Sequence, residues 1–207
     1  MGFYEHRVYP WLVDHWGDPA PIGAIRARLI PQANGIVLEI GAGSGINFAY
    51  YDPCKVTKLY ALEPNPGMRQ LAEHRRPAAL PIEYLDLPGE HIPLGAGSVD
   101  TAVSTFTLCT IPAIADAIHE LRRVIRPGGQ LIFFELGLSP DPAVRRWQAW
   151  WEPFHKRAFA GLHLTRDIPA LLSQGGFKIQ QAERGYLATF PKSWTHCWWG
   201  TAIPKDS

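Results

Sequence analysis

The sequence predicts an α/β protein built on a doubly wound, mostly parallel sheet. Two observations carry this prediction. Between residues 35 and 136, five apolar runs rich in β-branched and aromatic residues alternate with turn signals and helical apolar spacings. The first run, Ile36-Val37-Leu38-Glu39-Ile40, stops at three glycines in alternate positions, Gly41, Gly43 and Gly45. A strand that turns through glycine towards a helix start is a place where backbone can approach a ligand closely.

Taken in order, residues 3–16 hold Phe3, Tyr4, Val8, Tyr9, Trp11, Leu12, Val13 and Trp16. Pro10 divides them into two short helical pieces, expected to form a lid or a packed edge, with an interfacial membrane contact as the other reading. Ile22, Ile25, Leu29 and Ile30 give a helical face, with Arg26 and Arg28 off it and Pro31 ending it. After the glycines, Ile46-Asn47-Phe48-Ala49-Tyr50 can open a helix. The second strand, Lys58 to Leu62, ends at Glu63-Pro64-Asn65. In nucleoside-binding α/β folds, a carboxylate at this position accepts hydrogen bonds from the ribose hydroxyls. A helix follows through Met68 and Leu71 to about residue 76. Strand signals recur at 81–87, at 97–104 and at 130–135, the last two flanking a helix with Ile114, Ala117, Ile118, Leu121 and Val124 on one face. Beyond these lie an aromatic helix from Ala143 to about Phe159, a helix ending at Gly175-Gly176, and strands near 177–182 and 196–203.

Composition narrows the function. A length of 207 residues, 46% of them hydrophobic, suits one substantial core. One domain over residues 1–207 is expected. A net charge of +1 gives no basic field for nucleic acid. Three scattered cysteines without a CxxC pair form neither a disulfide framework nor a metal site, which suits a reducing cytoplasm. No apolar run reaches the roughly 20 residues that span a bilayer, so any membrane contact is expected to be peripheral. The glycine spacing is G-x-G-x-G, with Ile46 where the dinucleotide fingerprint places its third glycine, which argues against a nicotinamide enzyme.

Four separated features agree: the glycine loop preceded by Glu39, Glu63, the Gly97-Ser98-Val99-Asp100 strand entry, and Arg123-Val124-Ile125-Arg126-Pro127-Gly128-Gly129. Together they resemble the class I S-adenosylmethionine (SAM) methyltransferases, in particular the domain shared with ubiquinone and menaquinone methyltransferases. A closer likeness, to the methyltransferase-like thiol S-methyltransferases, rests on Thr107-Leu108-Cys109-Thr110, Trp151-Glu152-Pro153-Phe154-His155, Leu164-Thr165-Arg166 and Gly200-Thr201-Ala202. The animal members carry an N-terminal membrane anchor, which is not expected here. This chain has Leu136 where the family often has His after the strand-end Glu, and Leu162 where it often has Cys after the Gly.

The resemblance implies a Rossmann-like sheet of seven strands with the last antiparallel. It divides the chain into an N-terminal lid or edge (1–34), a SAM-binding core (35–136) and a substrate-roofing part (137–207). It implies SAM as methyl donor and S-adenosylhomocysteine as product. Carried onto this sequence, the cofactor site takes Glu39, Gly41, Ala42, Gly43, Gly45 and Asn47 from the first strand and its loop. It takes Glu63, Pro64, Asn65 and Met68 after the second strand, Gly89 and Glu90 at the adenine edge, and Thr105 and Phe106 after the fourth. The substrate pocket is expected to include Trp11, Leu108, Trp151, His163 and His196. Cys109 is read as a small pocket-wall residue, since methyl transfer needs no covalent enzyme intermediate.

The implied reaction is methyl transfer to a small apolar acceptor, with a thiol as one candidate. A thiol needs little help to ionise, whereas a phenol or quinol carbon calls for a positioned base. His155, His163 and His196 are the candidates, with His155 first. Trp147, Trp150, Trp151, Phe154, Phe159, Trp194, Trp198 and Trp199 are either core or the lining of an apolar cavity. The alternatives are a C-, O- or N-methyltransferase of quinone or phospholipid precursors at a membrane surface, and a SAM-binding protein without turnover.

Overall fold

The computed structural model describes residues 19–159, 161–187 and 191–205. The helical pieces expected within residues 3–16, and Trp11 with them, lie outside the described residues. Helix α1 (Ala20–Leu29) passes into a 3-10 turn (Ile30–Gln32) at Pro31. Strand β1 (Gly35–Ile40) leads through the glycines to a five-residue 3-10 helix (Ile46–Tyr50). The chain continues through β2 (Val56–Leu62), α2 (Pro66–His74), β3 (Ile82–Leu85), β4 (Val99–Thr105), α3 (Ile114–Val124) and β5 (Ile125–Leu136). Helices α4 (Pro142–Ala158) and α5 (Ile168–Gln174), strand β6 (Phe177–Tyr186), the short helix α6 (Lys192–Thr195) and β7 (His196–Pro204) follow.

The seven strands form one sheet in the order β3-β2-β1-β4-β5-β7-β6. Pairings from β3 through β5 are parallel, and β7 runs antiparallel to both neighbours. This is the expected sheet with its antiparallel last strand. Alternation along the central strands supplies two core layers. Val37, Ile132 and Phe134 face the layer that holds Ile22 and Leu29 of α1. Leu38, Leu131 and Phe133 face the layer that holds Ala117, Ile118 and Leu121 of α3 and Leu172 of α5. Because β2 and β4 lie on opposite sides of β1, the chain reverses direction there, and the carboxyl ends of β1 and β4 open a crevice.

Three local expectations change. The segment after the glycines is 3-10 and ends at Tyr50, so no α-helix stands behind the loop to contribute a macrodipole. Arg26, read as lying off the apolar face of α1, is buried. Arg126-Pro127-Gly128-Gly129 belongs to β5 rather than to a helix end: the ladder pairs Val99 with Ile125 and resumes with Thr101 and Gln130, so these residues bulge out. Two of the features carrying the resemblance sit at the opposite, amino-terminal edge. Asp100 accepts from Ile36 N at 2.6 Å and from Arg126 Nε at 2.5 Å, clamping the starts of β1, β4 and β5 together.

Candidate active site

Gly41, Gly43 and Gly45 all adopt left-handed backbone, with φ of 66°, 56° and 76°. Their reasons differ. A Cβ on Gly41 would come within 2.3 Å of the Thr107 side chain, and one on Gly45 within 2.7 Å of the Phe48 ring. At Gly43 the nearest atom among the described residues would be the Gly41 carbonyl oxygen, 4.0 Å away. Gly41 and Gly45 are therefore packing glycines, whereas Gly43 fronts open space as far as the described residues reach. Ala42 anchors the loop by donating from its backbone N to Leu62 O at 3.0 Å.

Beside that space stands Glu63, at the end of β2. Its Oε2 accepts from Gly43 N at 2.9 Å and its Oε1 from Asn65 N at 2.8 Å. Burial raises its pKa, against the pull of the Asn65 and Gly43 N–H groups. Pro64 sets the turn, and the Asn65 side chain caps α2 by accepting from Gly67 N and Met68 N. Met68 is buried behind the cap.

Under the loop lies a polar cluster that the sequence did not announce. Glu39 accepts from Asn47 Nδ2 at 2.7 Å and from the Tyr51 hydroxyl at 2.9 Å. Asn47 also donates to Thr105 Oγ1 at 2.9 Å, and its Oδ1 accepts from Arg26 Nη1. Burial lifts the Glu39 carboxyl to about 7, despite its hydrogen bonds to Asn47 and Tyr51 and the charge of Arg26. Both oxygens of Glu39 thus hold the loop from below. Nothing in the sequence marked Arg26 or Tyr51 for this cluster.

The fourth strand ends in strained backbone. Phe106, at φ 54°, is the one non-glycine residue with positive φ among the described residues. Its ring lies 4.5 Å from that of Phe134, and the Arg26 guanidinium lies 5.7 Å from its centroid. The next three backbone N–H groups converge on one buried carboxylate. Glu135 accepts from Thr107 N, Leu108 N and Cys109 N, each at 3.1 Å, and from Ser104 Oγ at 2.6 Å. Burial raises its pKa, and those four donors oppose the rise. An acid closing an apolar strand is the signal that singled out Glu63; the same signal at Glu135 locates the residue that shapes this loop. Thr107 Oγ1 lies 3.4 Å from Gly41 O, so the loop touches the glycine turn.

At the expected adenine edge, Gly89 packs as a glycine must: a Cβ there would meet Ile40 at 2.5 Å. Glu90 Oε1 lies 3.4 Å from Ala113 N.

On the acceptor side, Leu108 is buried in the core layer with α3. Cys109 is buried too, and burial together with the nearby Glu135 charge pushes its thiol well up, which removes it as a nucleophile. The Cys109 carbonyl accepts from His163 N at 2.8 Å. His163 Nδ1 lies 3.3 Å from Glu152 Oε1, and Glu152 Oε2 accepts from Thr165 N at 3.1 Å. Burial, then Arg166 and Lys156, lower the His163 pKa. His155 is buried among Trp151, Phe154, Phe159 and Trp194. Its Nδ1 lies 2.9 Å from Trp151 O, a pure acceptor, so that nitrogen carries the proton. Its Nε2 is buried with no hydrogen-bond partner among the described residues, and burial lowers the pKa of the ring. His196 is arranged alike, with Nδ1 3.3 Å from Gly137 O and Nε2 without a partner among the described residues, between Tyr186 and Trp198. Of the aromatic residues read as core or cavity lining, Trp147, Trp150 and Phe154 instead face solvent.

The open space at Gly43, with the fixed Glu63 carboxylate beside it, fits a nucleoside cofactor whose ribose hydroxyls need an acceptor. Among the described residues, no group of three or more His, Cys, Asp or Glu side chains is placed to hold a metal. Residues 38–133 match the methyltransferase-domain family. The chain is 37% identical over 157 residues to human thiol S-methyltransferase TMT1B, covering 72% of this chain and 62% of that protein. It is 31% identical over 176 residues to human thiol S-methyltransferase TMT1A, covering 79% and 67%. The chain therefore spans less than two thirds of the first relative's length. A SAM-dependent methyltransferase from Methanosarcina mazei superposes with a TM-score of 0.66 at 19% identity, over 92% of this chain and 100% of that one. Sheet order, glycine turn, strand-end carboxylate and sequence likeness converge: the chain belongs to the SAM-dependent methyltransferases, with SAM as its cofactor.

Proposed function

We propose that this enzyme methylates a small apolar acceptor, and that the acceptor atom is a thiol sulfur. One contiguous set of contacts carries the reading. Thr107 meets the glycine turn, Cys109 two residues on holds the backbone of His163, and Glu152 ties His163 to the aromatic helix α4. An acceptor lodged along that line would meet apolar walls next to the cofactor loop. The likeness to thiol S-methyltransferases supports sulfur as the acceptor atom.

In this reading the cofactor, when bound, supplies an electrophilic methyl on a sulfonium. Glu63 accepts from the ribose hydroxyls, and the open face of Gly43 lets backbone lie against the ligand. Asn65 and Met68 shape the start of α2 beside it, and Thr105 and Phe106 close the β4 side. Alignment of the thiol behind the methyl supplies much of the rate, about 7–11 kcal/mol in favourable cases. His155 is the base: its Nδ1 proton is committed to Trp151 O, leaving Nε2 to take the thiol proton as sulfur is methylated. The lowered pKa of His155 keeps it neutral and ready to accept. His163 and His196, with Trp151 and Leu108, form the surrounding wall.

The test is S-adenosylhomocysteine release from SAM with small apolar thiols, catechols, quinols and phosphatidylethanolamine vesicles as acceptors. Turnover confined to thiols is expected. Turnover on quinols or vesicles instead would move the acceptor to carbon, oxygen or nitrogen at a membrane surface. Silence across the panel with SAM bound would favour a non-catalytic SAM-binding role.

A further inference from the structure

Helix α4 has two unlike sides. Its inner side carries Val144, Gln148, Glu152 and His155, all buried. On the outer flank, Trp147, Trp150 and Phe154 recur at i, i+3 and i+7 and are 57%, 66% and 51% exposed, with Phe159 beyond the helix end at 38%. Large aromatic side chains are rarely left in water in a row; these stack edge-to-face on one another and on Trp151, and Phe154 also meets the His155 ring.

The charge pattern limits what can cover them. Arg145, Arg146, Lys156 and Arg157 are exposed along the same helix, whereas its one acid, Glu152, is buried and bonded to Thr165 N, Lys156 and His163. Every exposed charge on α4 is therefore positive. A second copy meeting this face by a two-fold axis would set cations against cations. An anionic lipid surface matches both properties. Its headgroups attract the arginines and lysines, and its acyl boundary takes Trp and Phe side chains. The helix is 17 residues long, about 25 Å, enough to lie in the interface plane. Among the described residues no helix is long and apolar enough to cross a membrane.

We propose that the outer flank of α4 docks this enzyme on anionic bilayers. Docking there turns the α4 side of the molecule, with His155 on its inner face, towards the phase in which apolar acceptors concentrate. The proposal does not depend on which atom is methylated.

The test is co-sedimentation of the full chain with vesicles of phosphatidylcholine alone and of phosphatidylcholine with phosphatidylserine. SAM binding is measured on every variant to verify the fold. The wild type is expected to sediment with the phosphatidylserine vesicles and to be released by salt. Arg146→Gln with Arg157→Gln should lower partitioning roughly 30-fold, at the usual contribution of one basic side chain near an anionic surface. Trp147→Ser, Trp150→Ser and Phe154→Ser together should abolish it while leaving SAM binding intact. A wild type that stays in the supernatant with both compositions overturns the proposal, as does a triple serine variant that sediments as well as the wild type. Concentration-dependent self-association that the triple variant loses, without vesicle binding, would also overturn it and assign the face to a second copy.

Discussion

The buried carboxyl of Glu39 gives a prediction whose sign and size follow from its surroundings. Burial lifts its pKa from 4.5 to about 7, because Asn47 and Tyr51 do not fully replace the water the carboxylate loses. The folded protein thus binds this proton more readily than the unfolded chain. The stability it contributes is fully present below pH 4.5, falls as pH rises and is gone above about 7. The whole swing is about 3 kcal/mol, most of which falls between roughly pH 5 and roughly pH 8. Glu39→Gln removes the titration and keeps the shape. The Gln oxygen can accept from Asn47, and the Tyr51 hydroxyl can turn to accept from the new amide. Urea unfolding at a series of pH values, followed by circular dichroism, measures both proteins. The variant should gain on the wild type by about 2–3 kcal/mol over that range. Parallel profiles would refute the reasoning and mean that Glu39 ionises in its site as it does in the unfolded chain.

Three further substitutions probe the loops. Gly43→Val should abolish SAM binding in calorimetry, while its strained φ costs about 1–2 kcal/mol of stability; unchanged binding would remove Gly43 from the site. Glu135→Gln should cost about 1–3 kcal/mol in urea unfolding, because an amide nitrogen cannot accept from one of the Thr107, Leu108 or Cys109 N–H groups. Activity should fall with it, and a neutral substitution would mean that the loop holds its shape without the charge. His155→Ala should lower turnover about 100-fold with SAM affinity unchanged; full activity would leave His155 with a packing role alone.

Much of the sheet was legible because its signals are periodic and local. Ile36–Ile40 and Gln130–Glu135 alternate between two buried layers, and Glu63 follows its strand at the spacing nucleoside sites use. The glycine loop was legible as a place of close approach, but the sequence did not separate Gly41 and Gly45, which face protein, from Gly43, which faces open space. That distinction depends on Thr107 and Phe48, brought there by the fold. The polar cluster escaped for a similar reason. Arg26, Thr105 and the pair Asn47 and Tyr51 come from three separate segments, and an Arg at the edge of an apolar helical face reads as solvent-exposed until a buried Glu39 is known to meet it. The aromatic residues after position 146 show the limit most clearly: composition marks them as a group, while only the orientation of α4 divides Trp151 and His155 from the exposed Trp147, Trp150 and Phe154.

The most direct test of the active-site assignment is SAM affinity in Glu63→Ala, measured by calorimetry beside the wild type, with circular dichroism to verify the fold. Two hydrogen bonds from ribose hydroxyls to a carboxylate contribute about 1.5–3 kcal/mol each, so affinity should fall at least about 100-fold. Wild-type affinity in a folded Glu63→Ala protein would contradict the assignment and place the cofactor elsewhere than the crevice between Gly43 and the end of β2.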